Sequence, residues 1–178
     1  RPLRELESLR YDHVELKEIV ASPENAMHSA SATEQIADLD GDSYEIRIRV
    51  DRAQTERKRF GVQLFADQNN PGLEVMIRPE TSTLRLGTTD APFAIVDLPE
   101  GEDLELRIFV DKYVVEVFAN DRQAAIAAYH DYQTASGLRI YSYGEPTTFR
   151  EVTIWKLQST NQGIIEAREN RIWEPQTE

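Results

Sequence analysis

Residues 104–120 read Leu-Glu-Leu-Arg-Ile-Phe-Val-Asp-Lys-Tyr-Val-Val-Glu-Val-Phe-Ala-Asn, and this stretch decides the fold class. Apolar and polar residues alternate up to the polar pair Asp111-Lys112, and the alternation resumes after Tyr113. A period of two with many β-branched side chains predicts two antiparallel strands joined by a tight turn.

The same pattern recurs along most of the chain, with Gly, Pro, Asn and Asp between the apolar runs. Further strands are predicted at residues 44–50, 60–66, 73–77, 83–86, 92–98, 123–129, 137–143 and 147–157. Many short strands separated by turn residues are typical of a sandwich, and no long helical pattern interrupts them. The sequence therefore predicts an all-β fold, an antiparallel two-sheet β-sandwich of the concanavalin or lectin-like jelly-roll type.

A length of 178 residues suits one domain with short extensions. We expect the β-sandwich domain at residues 21–157, preceded by a connector at 1–20 and followed by a tail at 158–178. Leucines among charged residues predict a helical turn or irregular segment in the connector. Because the chain starts at Arg1 without an initiator Met, we expect it to be excised from a longer protein.

The net charge of −12 argues against nucleic acid and anionic membranes as partners, because phosphate binding needs clustered Lys and Arg. No apolar run approaches the length of a membrane span. The chain has no cysteine, which excludes disulfides and thiolate metal sites. We expect no cofactor.

Two further segments complete a recognisable set with the opening strands: Gly137-Leu-Arg-Ile-Tyr-Ser-Tyr-Gly144 and Val152-Thr-Ile-Trp-Lys-Leu157. Together with Phe109-Val-Asp111 and Val115-Glu-Val-Phe-Ala-Asn-Asp121, they resemble the C-terminal β-sandwich of family-32 glycoside hydrolases, the invertases, levanases and inulinases. Residues 1–10 resemble the connector that leaves the catalytic propeller of those enzymes.

The resemblance implies that chemistry belongs to a five-bladed propeller preceding the sandwich. Its motifs, Trp-x-Asn-Asp-Pro-Asn, Arg-Asp-Pro and Glu-Cys, are absent from this chain. Retaining hydrolysis needs two carboxyl groups about 5 Å apart, and no pair here is marked out by a motif. We therefore predict no catalytic residue, and a catalytic propeller as the partner, encoded in the same polypeptide.

No other pattern of residues in the sequence points to catalysis. The three histidines lie far apart, without metal-binding spacing. Asp38-Leu-Asp40-Gly-Asp42 hints at calcium but lacks the closing Glu of a calcium loop. We interpret it as an acidic turn and predict no metal site.

Three residues are candidates for carbohydrate binding: Asp111, Glu116 and Asn120. For Asp111 the default interpretation, ahead of sugar contact, is that it fixes its turn by accepting backbone hydrogen bonds. Glu116 is expected to be partly buried and to need an arginine partner, such as Arg107 or Arg139. Since the family has Gly after Asn-Asp and this chain has Arg122, the hairpin tip is expected to differ, which puts a ligand role of Asn120 in question.

Leu6, Leu9 and Arg10 are the candidates for interdomain contact, because the leucines of the connector would otherwise be exposed. Trp155 and Phe118 lie among apolar strand residues and are expected in the core. Trp173 in the tail is either a packed anchor or an exposed residue.

The leading hypothesis is a non-catalytic C-terminal module that supports the stability, orientation or oligomerisation of a catalytic propeller. The alternative is a fructan-binding, lectin-like carbohydrate-binding module. A fructan ligand and a homo-oligomer are the further partners left open. Because polymeric fructans are extracellular, a secreted or periplasmic location is favoured over a cytoplasmic one.

Overall fold

The computed structural model describes residues 1–22, 34–54, 59–159 and Glu169. Within them the chain forms twelve β-strands, labelled β1 to β12 in chain order. Their bounds are Arg10–Ala21, Glu34–Asp38, Ser43–Val50, Arg59–Ala66, Leu73–Arg78, Thr83–Leu86, Thr89–Pro92, Leu104–Asp111, Val114–Ala119, Gln123–Ala128, Gly137–Tyr143 and Thr147–Leu157. Short 3-10 helices span Arg4–Leu9, Arg52–Gln54, Pro79–Thr81 and Ile95–Asp97.

The strands form two six-stranded sheets that face each other as a sandwich. Sheet A has the order β1-β12-β3-β8-β9-β10, and sheet B has the order β2-β11-β4-β5-β6-β7. Every neighbouring pair is antiparallel. The predicted fold class is therefore confirmed.

One hydrophobic core lies between the two sheets, and both contribute to it. β3 illustrates how a strand contributes to the core. Tyr44, Ile46 and Ile48 are buried in the core, and the residues between them point to the opposite face of the sheet. Phe60 of sheet B and Phe149 of sheet A meet edge to face across the core, with ring centroids 6.4 Å apart. The period of two thus places one face of each strand in the core.

The connector at residues 1–20 stays a prediction as a domain boundary, but its secondary structure differs in part from the expected one. A 3-10 helix at Arg4–Leu9, hereafter the N-terminal helix, matches the expected helical turn. From Arg10 onwards the chain is instead β1, which pairs with β12 along its length and forms an edge of sheet A. Its alternation is hidden because the register shifts between Tyr11 and His13, and Asp12 and Glu18 adopt positive φ.

The strand predicted at 92–98 is wrong. The chain makes the short β7 before it and then a 3-10 turn at Ile95–Asp97, because Phe93 and Ile95 reach the core without strand pairing. Most of the predicted tail, including Trp173, lies outside the described residues. None of the described helices has the length and apolar character needed to cross a bilayer.

Candidate functional site

A buried carboxylate organises the outer face of sheet A. Glu45 of β3 is fully buried although it points away from the core. Its two oxygens accept hydrogen bonds from Nε and Nη2 of Arg10, at 2.7 and 2.8 Å, and Nε of Arg107 donates to the same carboxylate at 2.8 Å. Two guanidinium groups on one carboxylate form the arrangement that we call the arginine clamp, comprising Glu45, Arg10 and Arg107.

The clamp is extended by aromatic and acidic neighbours. The guanidinium of Arg10 lies 4.3 Å from the ring centroid of Trp155, and that of Arg47 lies 5.1 Å from it. Glu7 of the N-terminal helix lies 3.4 Å from Arg107 and 3.6 Å from Arg10. Hydrogen bonding to Glu45 raises the pKa of Arg10, so this group stays charged. The clamp therefore ties the N-terminal helix to β3, β8 and β12.

Two predicted core aromatics belong to this outer face instead. Trp155 pairs with Glu45 in the β12–β3 register and is only partly buried beneath the arginines. Phe118 meets Phe109 edge to face, with ring centroids 6.0 Å apart. Trp155 thus packs against two arginines and Phe118 against Phe109, both on the outer face of sheet A.

A groove lies beside the clamp, between the N-terminal helix and the outer face of sheet A. Its volume is about 410 Å³. Leu6, Leu9 and Phe109 supply apolar surface, and Asp111 and Glu116 supply carboxylates. We call this cavity the N-terminal groove. Four of the residues singled out from the sequence thus meet in one place.

The two carboxylates of the N-terminal groove have no partner in the described part of the chain. Glu116 pairs with neither predicted arginine, so that prediction is wrong. Arg107 is taken by Glu45 and Glu7, and Arg139 lies on β11 in the opposite sheet. Asp111 is exposed, and no group of the described residues donates a hydrogen bond to its carboxylate, so the expected turn-fixing bonds are not formed there. The N-terminal groove therefore combines apolar surface with two uncompensated negative charges.

Asn120 lies elsewhere, at the tip of the β9–β10 hairpin. Its side-chain oxygen accepts the backbone N–H of Glu105 at 3.1 Å, and its amide nitrogen donates to Glu102 and to the carbonyl of Asp103, both at 2.8 Å. Asn120 and Asp121 both have positive φ, and the N–H of Arg122 donates to the carbonyl of Ala119. The tip is thus a type I′ turn, which needs no glycine at position 122. The amide of Asn120 holds this turn in place.

A second cavity of about 400 Å³ adjoins this turn and is lined by charged residues and Asn120. Arg49, Arg150, Glu105 and Glu151 line it, and their charges are paired with one another or with neighbouring acids. Burial alone would raise the pKa of Glu151, but hydrogen bonds from Arg47 and Thr153 and the charges of Arg47 and Arg49 lower it below its ordinary value. The four named charges of this cleft are therefore paired, unlike the carboxylates of the N-terminal groove.

No group of three or more His, Asp or Glu side chains in the described ranges is arranged to hold a metal ion. Sequence reasoning identified Arg10 and Arg107 but missed Glu45 and Glu7. Glu45 alternates with Arg47 and Arg49 on a strand, so its pattern is that of a solvent-facing residue. In the fold, the guanidinium groups of Arg10 and Arg107 bond to its carboxylate, and Glu45 is buried.

The fold defines the class of this domain, and the comparisons with known proteins identify its family. The described chain is a lectin-like β-sandwich with no catalytic constellation among its described residues. The family profile "Glycosyl hydrolases family 32 C terminal" matches residues 5–156. The chain therefore belongs to the C-terminal domain family of the family-32 glycoside hydrolases, as the sequence resemblance predicted.

Two curated relatives agree with this assignment. Sucrose-6-phosphate hydrolase of Escherichia coli is 25% identical over 180 residues, which cover 98% of this chain and 31% of the relative. Levanase of Bacillus subtilis is 27% identical over 177 residues, which cover 88% of this chain and 24% of the relative. The chain thus spans a third or less of the length of these relatives.

Solved structures confirm the fold. The exo-inulinase of Aspergillus awamori matches with a TM-score of 0.65 at 18% identity, over 90% of this chain and 32% of the enzyme. The fructan 1-exohydrolase IIa of Cichorium intybus matches with a TM-score of 0.60 at 14% identity, over 89% of this chain and 38% of the enzyme. At these identities the likeness concerns the fold alone.

Replacing Glu45 with Gln should destabilise the chain by about 3–5 kcal/mol, because it leaves two buried guanidinium groups without a full counter-charge. Chemical unfolding of the purified chain measures this. Glu105→Gln is the matched control, since its partner Arg49 is 41% exposed and such pairs contribute about 1 kcal/mol or less. Equal losses for the two variants would contradict a special role of the clamp.

The lowered pKa of Glu151 predicts a defined pH dependence. Its charge stabilises the fold at pH values above the ordinary glutamate value of 4.5, and this contribution is lost as the pH falls through the lower folded pKa. Glu151→Gln should therefore be less stable than the wild type at neutral pH, with the gap closing under acid conditions. Urea midpoints measured from neutral to acid pH test this, and a gap that is constant with pH contradicts it.

Proposed function

We propose that this chain is a non-catalytic C-terminal module that docks, through the N-terminal groove and the N-terminal helix, onto the catalytic five-bladed propeller of a β-fructosidase-like glycoside hydrolase. Its role is to stabilise and orient that propeller. The observation that carries the proposal is the arginine clamp, which fixes the first residues of the matched domain on one face of the sandwich.

The position of the N-terminal helix supports this role. Residues 4–9 directly precede β1 and are held through Glu7 and Arg10. Any polypeptide attached before Arg1 would leave the sandwich beside this helix. A rigid attachment limits the orientations that a preceding domain can adopt, whereas a flexible linker would not.

The surface chemistry of the N-terminal groove also supports docking. Leu6 and Leu9 remain partly exposed, and Leu3 next to them is 68% exposed. Apolar side chains gain about 25 cal/mol per Å² when a partner covers them. The unpartnered carboxylates of Asp111 and Glu116 suit Lys or Arg side chains of that partner, which would pair with them at its surface.

The absence of the family's catalytic motifs from this sequence supports a non-catalytic module. The curated relatives are named as hydrolases, and this chain matches less than a third of each. Their activity is therefore assigned to the part of the polypeptide that the match does not cover.

A fructan-binding module is the second candidate, and one observation favours it. Carboxylates without a partner among the described residues, placed beside the ring of Phe109, resemble the mixture of acceptors and apolar surface that sugar sites use. Both candidate functions use the N-terminal groove. It binds a protein partner in the first and a sugar in the second. Binding measurements separate them.

Docking predicts that Leu6→Ser weakens the complete propeller-containing polypeptide more than the isolated chain. We expect an excess loss of about 1–3 kcal/mol in the complete polypeptide, because the leucine contacts the propeller there. Thermal and urea unfolding of both forms measure the difference. Val96→Ser is the control, since Val96 is 72% exposed, lies on the Ile95–Asp97 turn and does not line the groove. Equal losses from Leu6→Ser in both forms would contradict docking at this surface.

Sugar binding predicts measurable heat when inulin or levan is titrated into the isolated chain. The double variant Asp111→Asn, Glu116→Gln should then weaken affinity at least about tenfold, because each carboxylate loses charge-assisted hydrogen bonds to hydroxyls. Glu100→Gln, at an exposed surface turn, is the control. No heat at millimolar sugar rejects this candidate. Release of fructose by the chain itself would overturn the non-catalytic assignment.

A further inference from the structure

The four sheet edges of the sandwich differ in how they are protected. A free strand edge presents unpaired N–H and C=O groups that can pair with another strand. In the described part of the chain the edges are β1, β10, β2 and β7. Proteins usually block such edges with charges, bulges, proline or short length.

Three of the edges carry such protection. β1 has a register shift near Asp12, a positive φ at Asp12 and at Glu18, and several charged side chains along its length. β2 has five residues and carries acids at both ends, Glu34 and Asp38. β7 has four residues, one of which is Pro92. Each of these edges is therefore a poor template for a further strand.

The edge strand β10 lacks the charges, the proline and the register shift that protect the other edges. Its sequence, Gln-Ala-Ala-Ile-Ala-Ala, contains no charge and no proline, and its register with β9 is regular over all six residues. The outward-facing side chains of Ala124, Ile126 and Ala128 are exposed, with Ile126 at 59%. Small side chains allow another backbone to approach closely.

The free backbone groups of β10 can be assigned from the ladder. The N–H of Tyr129 donates to the carbonyl of Tyr113 on the β9 side, at 2.7 Å. Because alternate residues of an antiparallel ladder point their N–H and C=O to the same side, those of Ala124, Ile126 and Ala128 point away from β9. The side chain of Gln123 donates to the carbonyl of Ala124 at 3.2 Å, a bond that a partner strand's N–H could replace.

We propose that β10 is a self-association edge, at which a second copy of this chain pairs antiparallel through its own β10 to join two copies of sheet A into one continuous sheet. A twofold axis at Ile126 places each residue whose backbone groups point away from β9 opposite such a residue of the second copy. Ala124 of one copy then faces Ala128 of the other. The isoleucine side chains of the two copies then meet on the outer face. Symmetric pairing of this kind is the commonest form of homodimer.

Charge favours a second copy at this edge over the other edges. The chain carries a net charge of −12, so copies repel each other over most of their surface. Residues 123–128 contain no charged side chain, and the pairing sets no like charges opposite each other within the strand. Since six residues bury less surface than a standard interface, the dimer should be weak and should depend on concentration.

This inference is independent of docking to a propeller, because it uses the edge of sheet A and not the N-terminal groove. A chain that docks and stays monomeric overturns only the self-association proposal. A chain that dimerises through β10 and does not dock leaves self-association intact.

Sedimentation equilibrium of the full chain, from micromolar to millimolar concentration, tests the proposal. We expect a monomer–dimer equilibrium, weakened at least about tenfold by Ile126→Lys, which places a positive charge on each copy at the twofold axis. Ile126→Pro should act in the same way, because it removes an N–H that points away from β9. Circular dichroism and unfolding midpoints establish that each variant is folded.

Val96→Lys is the matched control, since Val96 is 72% exposed and lies on the Ile95–Asp97 turn rather than on a sheet edge. It should leave the equilibrium unchanged. A monomer at all concentrations overturns the proposal. So does a dimer that persists in the folded Ile126→Lys variant, or one that Val96→Lys weakens equally, because either result places the contact elsewhere.

Discussion

The outer face of sheet A depends on one buried carboxylate. Glu45 lies on β3. One face of this strand carries the core residues Tyr44, Ile46 and Ile48, and the opposite face carries Glu45, Arg47 and Arg49. A lone buried carboxylate would be strongly unfavourable, and here the forked donors of Arg10 and Arg107 compensate it. Because Arg10 begins β1, satisfying this carboxylate also fixes where the N-terminal helix lies.

That constraint connects the fold with the proposed role. The sandwich core would form without the clamp, since its residues alternate inward on both sheets. The clamp fixes the N-terminal helix against the outer face of sheet A. The N-terminal groove lies beside the clamp, between this helix and the sheet. The two faces of sheet A thus differ: one packs into the core, and the other carries the arginine clamp and the N-terminal groove.

The sequence predicts the strands whose two faces differ in polarity, and it fails where that difference is lost. β3, β8 and β9 were predictable because Tyr44, Leu106 and Val117 alternate with exposed or polar residues. β1 was not predictable, because its register shifts at Asp12 and because Asp12 and Glu18 adopt positive φ. In addition, Val14 remains 51% exposed on the core side. In the site, the groove residues were predictable individually from their chemistry. The partner of Arg10, 35 positions away, was not, because burial of Glu45 arises only from tertiary contact.

The central claim is that Arg10 and Glu45 are coupled strongly enough to position the N-terminal helix. A double-mutant cycle with Arg10→Ala, Glu45→Ala and the double variant measures this coupling by urea unfolding of the purified chain. The account predicts a coupling free energy of about 2 kcal/mol or more, because removing Arg10 takes away two of the hydrogen bonds that the buried Glu45 carboxylate accepts and leaves only Arg107 beside it. Additive losses, with a coupling within about 0.5 kcal/mol of zero, would contradict it.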